Sequence, residues 1–285
     1  MMHFNSDIID WPKVSIVTVI YNSEKYIEAT IKNVISQKYP NLDFVIIDGG
    51  STDGTMDIVN SYSEHIATII SEEDDGIYNA MNKARKYCKG DWICFLNSGD
   101  LFFDNNVLLT VFSIINKLNP DFIYGDTSYY SLLQKFEYQQ GRMVKETDFR
   151  FNFPICHQSM FFSRNLIDKM NWYDESYSVV ADWDLATRIF QDPKYKKLYI
   201  STCISKFLID EVNWKNSISA LWEWVVLTNN YRSKLTTFIS FLIFLLKSIR
   251  YLLVINLKDF EIYNIYRSWK VKRIAKSIRG KSWNV

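Results

Sequence analysis

The stretch VSIVTVI, residues 14–20, is apolar or β-branched at every position except Ser15. A run of this kind is typical of a strand buried on both faces, and such strands occur mainly in parallel sheets covered by helices. The stretch SEKYIEATIKNVISQ, residues 23–37, follows, and its apolar residues recur at helical spacing. This first strand and helix predict an α/β fold.

The same alternation continues over the next part of the chain. DFVIIDGG (43–50), IATIISE (66–72) and DWICFLN (91–97) read as strands, and helical patterns separate them. Alternation of this kind predicts a mostly parallel central sheet with helices on both faces. Further along, the predicted strands are shorter and mixed, and VVADWDLATRIFQ (179–191) is predicted to be a helix.

Polar residues gather where the predicted strands end. Tyr21 and Asn22 follow the first strand, Asp48 closes the second, residues 72–75 follow the third and Asp100 follows the fourth. Ligands of open α/β sheets bind at this carboxyl edge. Because like charges repel, an acidic edge favours a divalent metal, sugar hydroxyls or base N–H groups over a bare phosphate.

Other patterns narrow the function classes. DGGSTDG lacks the lysine of a P-loop and does not match G-x-G-x-x-G. The four cysteines include no C-x-x-C pair, and three histidines are too few for a histidine-rich zinc site. No apolar segment precedes Trp11, so we expect a reducing, cytoplasmic location.

The net charge of +1 hides an asymmetry between the body and the tail. Residues 232–285 carry twelve Lys or Arg against two acids, a net of +10, which leaves −9 for the rest. Within this tail, LTTFISFLIFLL (235–246) has no charge, but Lys247 and Arg250 follow it. A spanning helix needs about 20 predominantly apolar residues, so the pattern favours a helix in a membrane interface.

The chain is therefore predicted to have a catalytic domain, residues 1–215, and a helical extension, residues 216–285, that is first apolar and then basic. Residues 235–285 are expected to bind the inner surface of the cell membrane, because anionic lipid attracts Lys and Arg. Packing of the extension on the body or on a partner subunit is the alternative. A homodimer is left open, and no nucleic acid partner is expected.

Five blocks of the sequence resemble family 2 glycosyltransferases in order and spacing: VSIVTVIYN, VIIDGGSTDGT, SEEDDGIYNAMNKA, GDWICFLNSGD and ADWDLATR. The resemblance covers most of the predicted catalytic domain. It implies a GT-A nucleotide-binding sandwich that transfers a sugar, with inversion, from a UDP- or GDP-sugar donor, assisted by Mn²⁺ or Mg²⁺. Together with the tail, it implies a glycan or lipid-linked acceptor in bacterial cell-surface polysaccharide synthesis.

The resemblance also implies roles for individual residues. Asp182 of ADWD corresponds to the catalytic base, and Asp100 of NSGD to the metal ligand, although Asn97 and Gly99 stand where acids are common. The residues implied in nucleotide-sugar binding are Val19, Tyr21, Asn22, Asp48, Asp75, Asn97 and Ser98. Those implied in acceptor binding are His157, Gln158 and Trp183.

Several of these residues have an alternative reading. Asp75 or Asp74 could instead cap the following helix, and Asp100 could cap a helix from a turn. His157 could be a structural histidine, and Asp184 is expected to be a surface or capping residue. Two rival functions also remain at this point, a nucleotidyltransferase and a catalytically inactive subunit that binds nucleotide sugars.

Overall fold

The computed structural model describes residues 11–133, 135–150 and 154–211, together with parts of the segment 222–246. The chain divides into two compact units, residues 1–214 and 215–285. The strands described in the first unit are β1 Val14–Ile20, β2 Leu42–Asp48, β3 Thr68–Ser71, β4 Trp92–Phe95, β5 Leu101–Phe102, β6 Phe122–Ser131, β7 Phe136–Gln140, β8 Met160–Ser163 and β9 Lys197–Leu208. The α-helices are α1 Ile27–Ile35, α2 Thr55–Ser61, α3 Ile77–Lys83, α4 Val107–Phe112, α5 Ile115–Leu118, α6 Arg164–Lys169 and α7 Ala181–Gln191.

The strands form one mixed sheet in the order β3-β2-β1-β4-β8-β6-β9-β5, with β7 paired to β6. The strands β1 to β4 pair in parallel, as predicted. The remainder of the sheet is mixed, which corrects the prediction of a mostly parallel sheet: β6 and β9 pair in parallel, whereas β8 runs antiparallel to β4 and β6, and β5 runs antiparallel to β9. The short β6–β7 connection also imposes antiparallel pairing, because parallel neighbours need a long crossover.

The core around β1 explains why the strand lacks the alternation of a half-exposed sheet. All seven β1 residues are buried, since helices cover both of its faces. On one face, Ile27, Ile31 and Val34 of α1 are each 0 % exposed and belong to the same apolar cluster as Ile16. Burying each such side chain stabilises the fold by roughly 1.5–3 kcal/mol. This packing holds the carboxyl ends of β1, β2 and β4 in fixed register.

In the second unit, the described residues are helical: 222–227, 230, 234, 237–239, 241–243, 245 and 246. Many of their apolar side chains are exposed, namely Trp222, Phe238, Ile239, Phe241, Leu242, Leu245 and Leu246. None of the helices described is both long enough and apolar enough to cross a membrane. Lys247, Arg250 and the basic end, on which the membrane prediction also rests, lie outside the described residues.

Candidate active site

The first part of the site is the edge where β1 and β2 end side by side, with Ile20 opposite Asp48. Val19 is buried in β1, whereas the ring of Tyr21 is 62 % exposed just beyond it. Asn22 has a φ of 47°, a backbone region that asparagine tolerates. Its Oδ1 accepts a hydrogen bond from the Thr52 amide at 2.9 Å, so Asn22 ties the loops after β1 and β2 together.

Asp48 ends β2 and is fully buried. Its Oδ2 accepts hydrogen bonds from the amides of Gly50 and Ser51, at 3.2 and 3.0 Å, and from the Ser71 hydroxyl at 2.6 Å. Its Oδ1 accepts one from the Ser51 hydroxyl. These four donors explain how the carboxylate stays buried. Asp48 therefore holds the loop after β2, and its predicted contact with the nucleobase stays a prediction.

The acids before α3 differ from one another. Asp75 is exposed, and α3 has no side-chain cap, so the capping alternative does not apply to Asp75. Asp74 is partly buried, and its Oδ1 accepts a hydrogen bond from the Gly76 amide at 2.9 Å. The predicted contact of Asp75 with a nucleotide sugar stays a prediction.

The NSGD turn follows β4 and places Asp100 in the interior, only 4 % exposed. Its Oδ2 accepts a hydrogen bond from the Gln158 amide at 2.5 Å, and its Oδ1 accepts one from the Leu208 backbone amide at 3.1 Å. Burial raises the pKa of Asp100 to about 7, because the charged form loses its hydration. Gly99, with φ of 88°, lets the chain make this turn.

The surroundings of Asp100 test the predicted metal site. Its two carboxylate oxygens accept hydrogen bonds from Gln158 and Leu208. In the described part of the chain, no group of three His, Cys, Asp or Glu side chains is placed to hold a metal ion. Two neighbouring oxygens, Asn97 Oδ1 and Ser98 Oγ, are buried and have no hydrogen-bond partner among the described residues. An amide and a hydroxyl bind a divalent ion weakly without a carboxylate. The residues as arranged do not fit an ion held by Asp100.

Asp182 lies in the first turn of α7. Its Oδ1 accepts a hydrogen bond from the Trp183 amide at 2.8 Å and lies 3.2 Å from the Tyr78 hydroxyl. Burial raises the pKa of Tyr78 well above its usual value, so this hydroxyl keeps its hydrogen and can donate. The helix dipole also favours a negative charge in a first turn. The Asp182 side chain is 15 % exposed, so solvent reaches its carboxylate.

His157 connects Asp182 to the turn after β4. Its Nδ1 lies 3.4 Å from Asp182 Oδ2, and its Nε2 lies 3.2 Å from the Asn97 amide nitrogen. Because that amide nitrogen can only donate, Nε2 accepts and the imidazole hydrogen lies on Nδ1, facing Asp182. The structure therefore brings together three of the predicted site residues, Asn97, His157 and Asp182.

Other predicted residues lie elsewhere. Gln158 is 1 % exposed and donates to Asp100, and its predicted acceptor contact stays a prediction. Trp183 is partly buried on α7. Asp184 was expected to be a surface or capping residue, but it is 2 % exposed and pairs with Arg188 at 2.7 Å. The expectation was wrong because the side chain two positions after Asp182 points toward the interior of the domain.

Tyr78 is a site residue that the sequence did not predict. Its hydroxyl lies 2.8 Å from the Val179 carbonyl oxygen as well as near Asp182, so it joins α3 to the start of α7. Its ring lies 5.3 Å from that of Tyr173, and both are buried. In the sequence, Tyr78 lies in the GIYNAM segment close to Asp75, and this position could have indicated a site residue. A buried tyrosine in a helix is by itself typical of core packing, however.

Comparisons with known proteins identify the family of the chain. The sequence model of the family described as Glycosyl transferase family 2 matches residues 15–174. A PGL/p-HBAD biosynthesis glycosyltransferase of Mycobacterium bovis is 28 % identical over 200 residues, covering 69 % of this chain and 77 % of the relative. A teichuronic acid biosynthesis glycosyltransferase of Bacillus subtilis, TuaG, is 40 % identical over 92 residues, 31 % of this chain and 36 % of the relative.

Among solved structures, S. aureus TarS in complex with UDP-GlcNAc superposes with a TM-score of 0.61 at 17 % identity. The likeness covers 79 % of this chain and 69 % of TarS. At this level of identity it shows a shared fold, a mixed α/β sheet with covering helices.

Proposed function

The chain belongs to glycosyl transferase family 2, with a GT-A fold, and on that premise we propose that it transfers a sugar from a nucleotide-diphosphate sugar to a hydroxyl of a glycan or lipid-linked acceptor. The transfer inverts the anomeric configuration. The product belongs to the synthesis of a cell-surface polysaccharide. The observation that carries the proposal is a partly exposed Asp182 carboxylate in contact with Tyr78, His157 and the first turn of α7.

In this proposal Asp182 is the general base. Its Oδ1 accepts from the Trp183 amide and lies 3.2 Å from the Tyr78 hydroxyl, while Oδ2 faces His157 at 3.4 Å. Oδ2 can therefore accept the proton of an acceptor hydroxyl, which must lie within hydrogen-bond reach. The acceptor oxygen then attacks the anomeric carbon from the face opposite the diphosphate, and the nucleoside diphosphate leaves.

The donor would lie over the ends of β1 and β4. The exposed ring of Tyr21 offers a flat surface for a nucleobase or ribose. Ser98 Oγ can donate to a diphosphate or sugar oxygen, and Asn97 Oδ1 can accept from a sugar hydroxyl. A ligand that pairs with these two atoms removes the cost of leaving them buried and unsatisfied.

The Mn²⁺ or Mg²⁺ dependence expected from the sequence stays a prediction. Such an ion neutralises charge on a leaving diphosphate when it is bound. Because Asp100 is directed inward, no step of the mechanism above is assigned to the ion.

The acceptor class rests on the relatives and on the tail. One relative is described by its role in teichuronic acid biosynthesis and another by PGL/p-HBAD biosynthesis.

The exposed apolar side chains of the second unit, such as Phe238, Leu242 and Leu246, support peripheral binding to the inner face of the cell membrane. Equal flotation on anionic liposomes of the full chain and of residues 1–231 would overturn the membrane part of the proposal. The homodimer stays an open prediction.

The test of the function is release of nucleoside diphosphate from a panel of UDP- and GDP-sugars, with and without Mn²⁺, in the presence of lipid-linked glycan acceptors. The expected result is acceptor-dependent release that Asp182→Asn abolishes. Pyrophosphate as the product would instead indicate a nucleotidyltransferase. Donor binding without turnover under every condition would indicate the inactive subunit, which the inward placement of Asp100 favours among the rivals.

A further inference from the structure

Two segments that are far apart in the sequence are joined twice beside the proposed base. The amide nitrogen of Asn97 lies 3.2 Å from Nε2 of His157. Further along the turn, Oδ2 of Asp100 accepts a hydrogen bond from the Gln158 side chain. The turn itself is closed by a hydrogen bond from the Asp100 amide to the Asn97 carbonyl oxygen, at 3.0 Å. This double connection holds the imidazole of His157 against the turn after β4.

The position of the imidazole hydrogen follows from the group on the other side of the ring. Nδ1 of His157 lies 3.4 Å from Oδ2 of Asp182, and an ionised carboxylate only accepts hydrogen bonds. A neutral imidazole therefore carries its hydrogen on Nδ1, where it faces the carboxylate, and Nε2 is an acceptor. Only a donor satisfies Nε2 in this state, and the Asn97 amide nitrogen supplies it. Asn97 and Asp182 thus favour the same tautomer from opposite sides of the ring.

The contact with His157 also orients the Asn97 amide. An amide can present either its nitrogen, which donates, or its oxygen, which accepts, to a neighbour. The Asn97 oxygen makes no competing hydrogen bond in the described part of the chain, so the need of Nε2 for a donor decides the orientation. An aspartate has no such choice, because both of its oxygens accept when it is ionised. A carboxylate at position 97 therefore changes the state of His157.

We propose that Asn97 is a positioning residue of the sugar transfer, and that it acts on Asp182 through His157. The hydrogen that Asn97 keeps on Nδ1 faces Oδ2 of the base, while the Trp183 amide donates to Oδ1. A carboxylate with a donor facing each oxygen keeps one orientation, and Oδ2 retains a lone pair for the proton of the acceptor hydroxyl. Neither Asn97 nor His157 gains or loses a proton in this role. The inference rests on the proposed function, because it assumes that Asp182 is the general base.

The first experiment determines the tautomer without any substrate. ¹⁵N NMR of the full-length protein in EDTA, at about pH 8.5, where an ordinary histidine is neutral, reports which ring nitrogen carries the hydrogen. The chain has three histidines, and the resonances of His157 are those lost in His157→Asn. Wild type should show a protonated Nδ1 and an unprotonated Nε2, and Asn97→Asp should show a protonated Nε2. A protonated Nε2 in wild type overturns the proposal.

The second experiment measures kcat with the donor and acceptor that the nucleotide-sugar panel identifies. Asn97→Leu removes the donor to Nε2 and should lower kcat about three- to tenfold, the factor that corresponds to one neutral hydrogen bond. Asn97→Asp should lower kcat further, because it draws the hydrogen to Nε2 and leaves a lone pair of Nδ1, or a charged ring, facing Asp182. Asn60→Asp introduces the same charge at an exposed position and should behave as wild type. If Asn97→Asp instead raises kcat above that of wild type when Mn²⁺ is added, the position serves a metal and the proposal falls.

A double-mutant cycle shows whether Asn97 acts through His157. His157→Asn places an amide N–H near the position of Nδ1 and should retain more of kcat than His157→Gln, whose amide reaches toward the position of Nε2. In the His157→Asn background no Nε2 remains, so adding Asn97→Leu should lower kcat by less than about twofold. An equal loss in both backgrounds would show that Asn97 acts on the donor directly, and it would overturn the proposal. Circular dichroism and a thermal melt verify that each variant is folded.

The outcomes separate this inference from the proposed function. Transfer by wild type together with the opposite tautomer, or with additive losses in the cycle, overturns the role of Asn97 and leaves sugar transfer in place. Absence of transfer from every donor overturns the proposed function and the positioning role with it.

Discussion

Replacement of Asp100 by asparagine should change how the stability of the protein depends on pH. Asp100 is 4 % exposed, and burial raises its pKa from an ordinary value of 3.8 to about 7. A carboxyl group whose pKa is raised by folding contributes stability that is present below the unfolded pKa and is lost as the pH rises through the folded pKa. Asparagine cannot ionise, so Asp100→Asn removes this contribution together with its pH dependence.

The magnitude follows from the two pKa values. The interval from 3.8 to about 7 covers roughly three pH units, and each unit changes the free energy of unfolding by about 1.4 kcal/mol. The loss over the whole interval is on the order of 4 kcal/mol. Between pH 5.5 and pH 8.5 only the upper half of the titration is crossed, so the expected loss is about 2 kcal/mol relative to the variant.

The assay is urea unfolding of wild type and Asp100→Asn at several values between pH 5.5 and 8.5. The quantity compared is how the difference in free energy of unfolding between the two proteins changes with pH. The pH-independent part of that difference is not used, because it also depends on how the Gln158 amide adapts to its new neighbour. Glu73→Gln, at an exposed position, controls for the loss of one negative charge.

A stability difference that is the same at every pH would show that Asp100 stays ionised in the folded protein, and it would refute the reasoning from burial. A second result would refute the inward placement itself. If Mn²⁺ raises the melting temperature of wild type and leaves that of Asp100→Asn unchanged, Asp100 is the metal ligand that the sequence predicted.

Three further variants test the site and its support. Asp182→Asn should lower kcat by about 10²- to 10⁴-fold, the usual contribution of a general base, while calorimetry finds UDP binding unchanged; near-normal turnover would contradict the assignment. His157→Gln should lower kcat with little effect on the acceptor KM, because His157 contacts Asp182; a raised KM alone would instead support the predicted acceptor contact. Arg188→Met removes the cation that pairs with the buried Asp184 and should cost about 3–5 kcal/mol in urea unfolding; a loss below about 1 kcal/mol would be inconsistent with a buried ion pair.

The half of the fold nearest the N-terminus was predictable because its signals are local. The run at 14–20 is the strand Val14–Ile20, and the helical spacing after it corresponds to α1. Strand direction in the other half depends on which distant strand becomes a neighbour, as when β4 pairs with β8. Pairing across some seventy residues leaves no periodic signal in either strand, so the mixed sheet could not be predicted from pattern alone.

The candidate site was predictable in its location and less so in its residues. The ends of β1, β2 and β4 do meet at one edge, and Asp182 lies near the turn after β4 through His157. Sequence position does not say whether a strand-end acid points outward or inward. Tyr78 was missed for the same reason, because its hydroxyl meets Asp182 across 104 positions of the chain.

At the carboxyl edge of a parallel sheet, the same few residues can serve two purposes, holding the loops and binding a ligand. Loops leaving the strands have backbone N–H groups that need acceptors, and a ligand needs side chains with free capacity. Asp48 serves the first purpose, because four donors fill its carboxylate. Asp74 accepts from one donor, the Gly76 amide, and its carboxylate lies where a side chain at position 49 would stand. The number of donors around each acid therefore shows which acids hold the loops, a distinction that strand-end position cannot make.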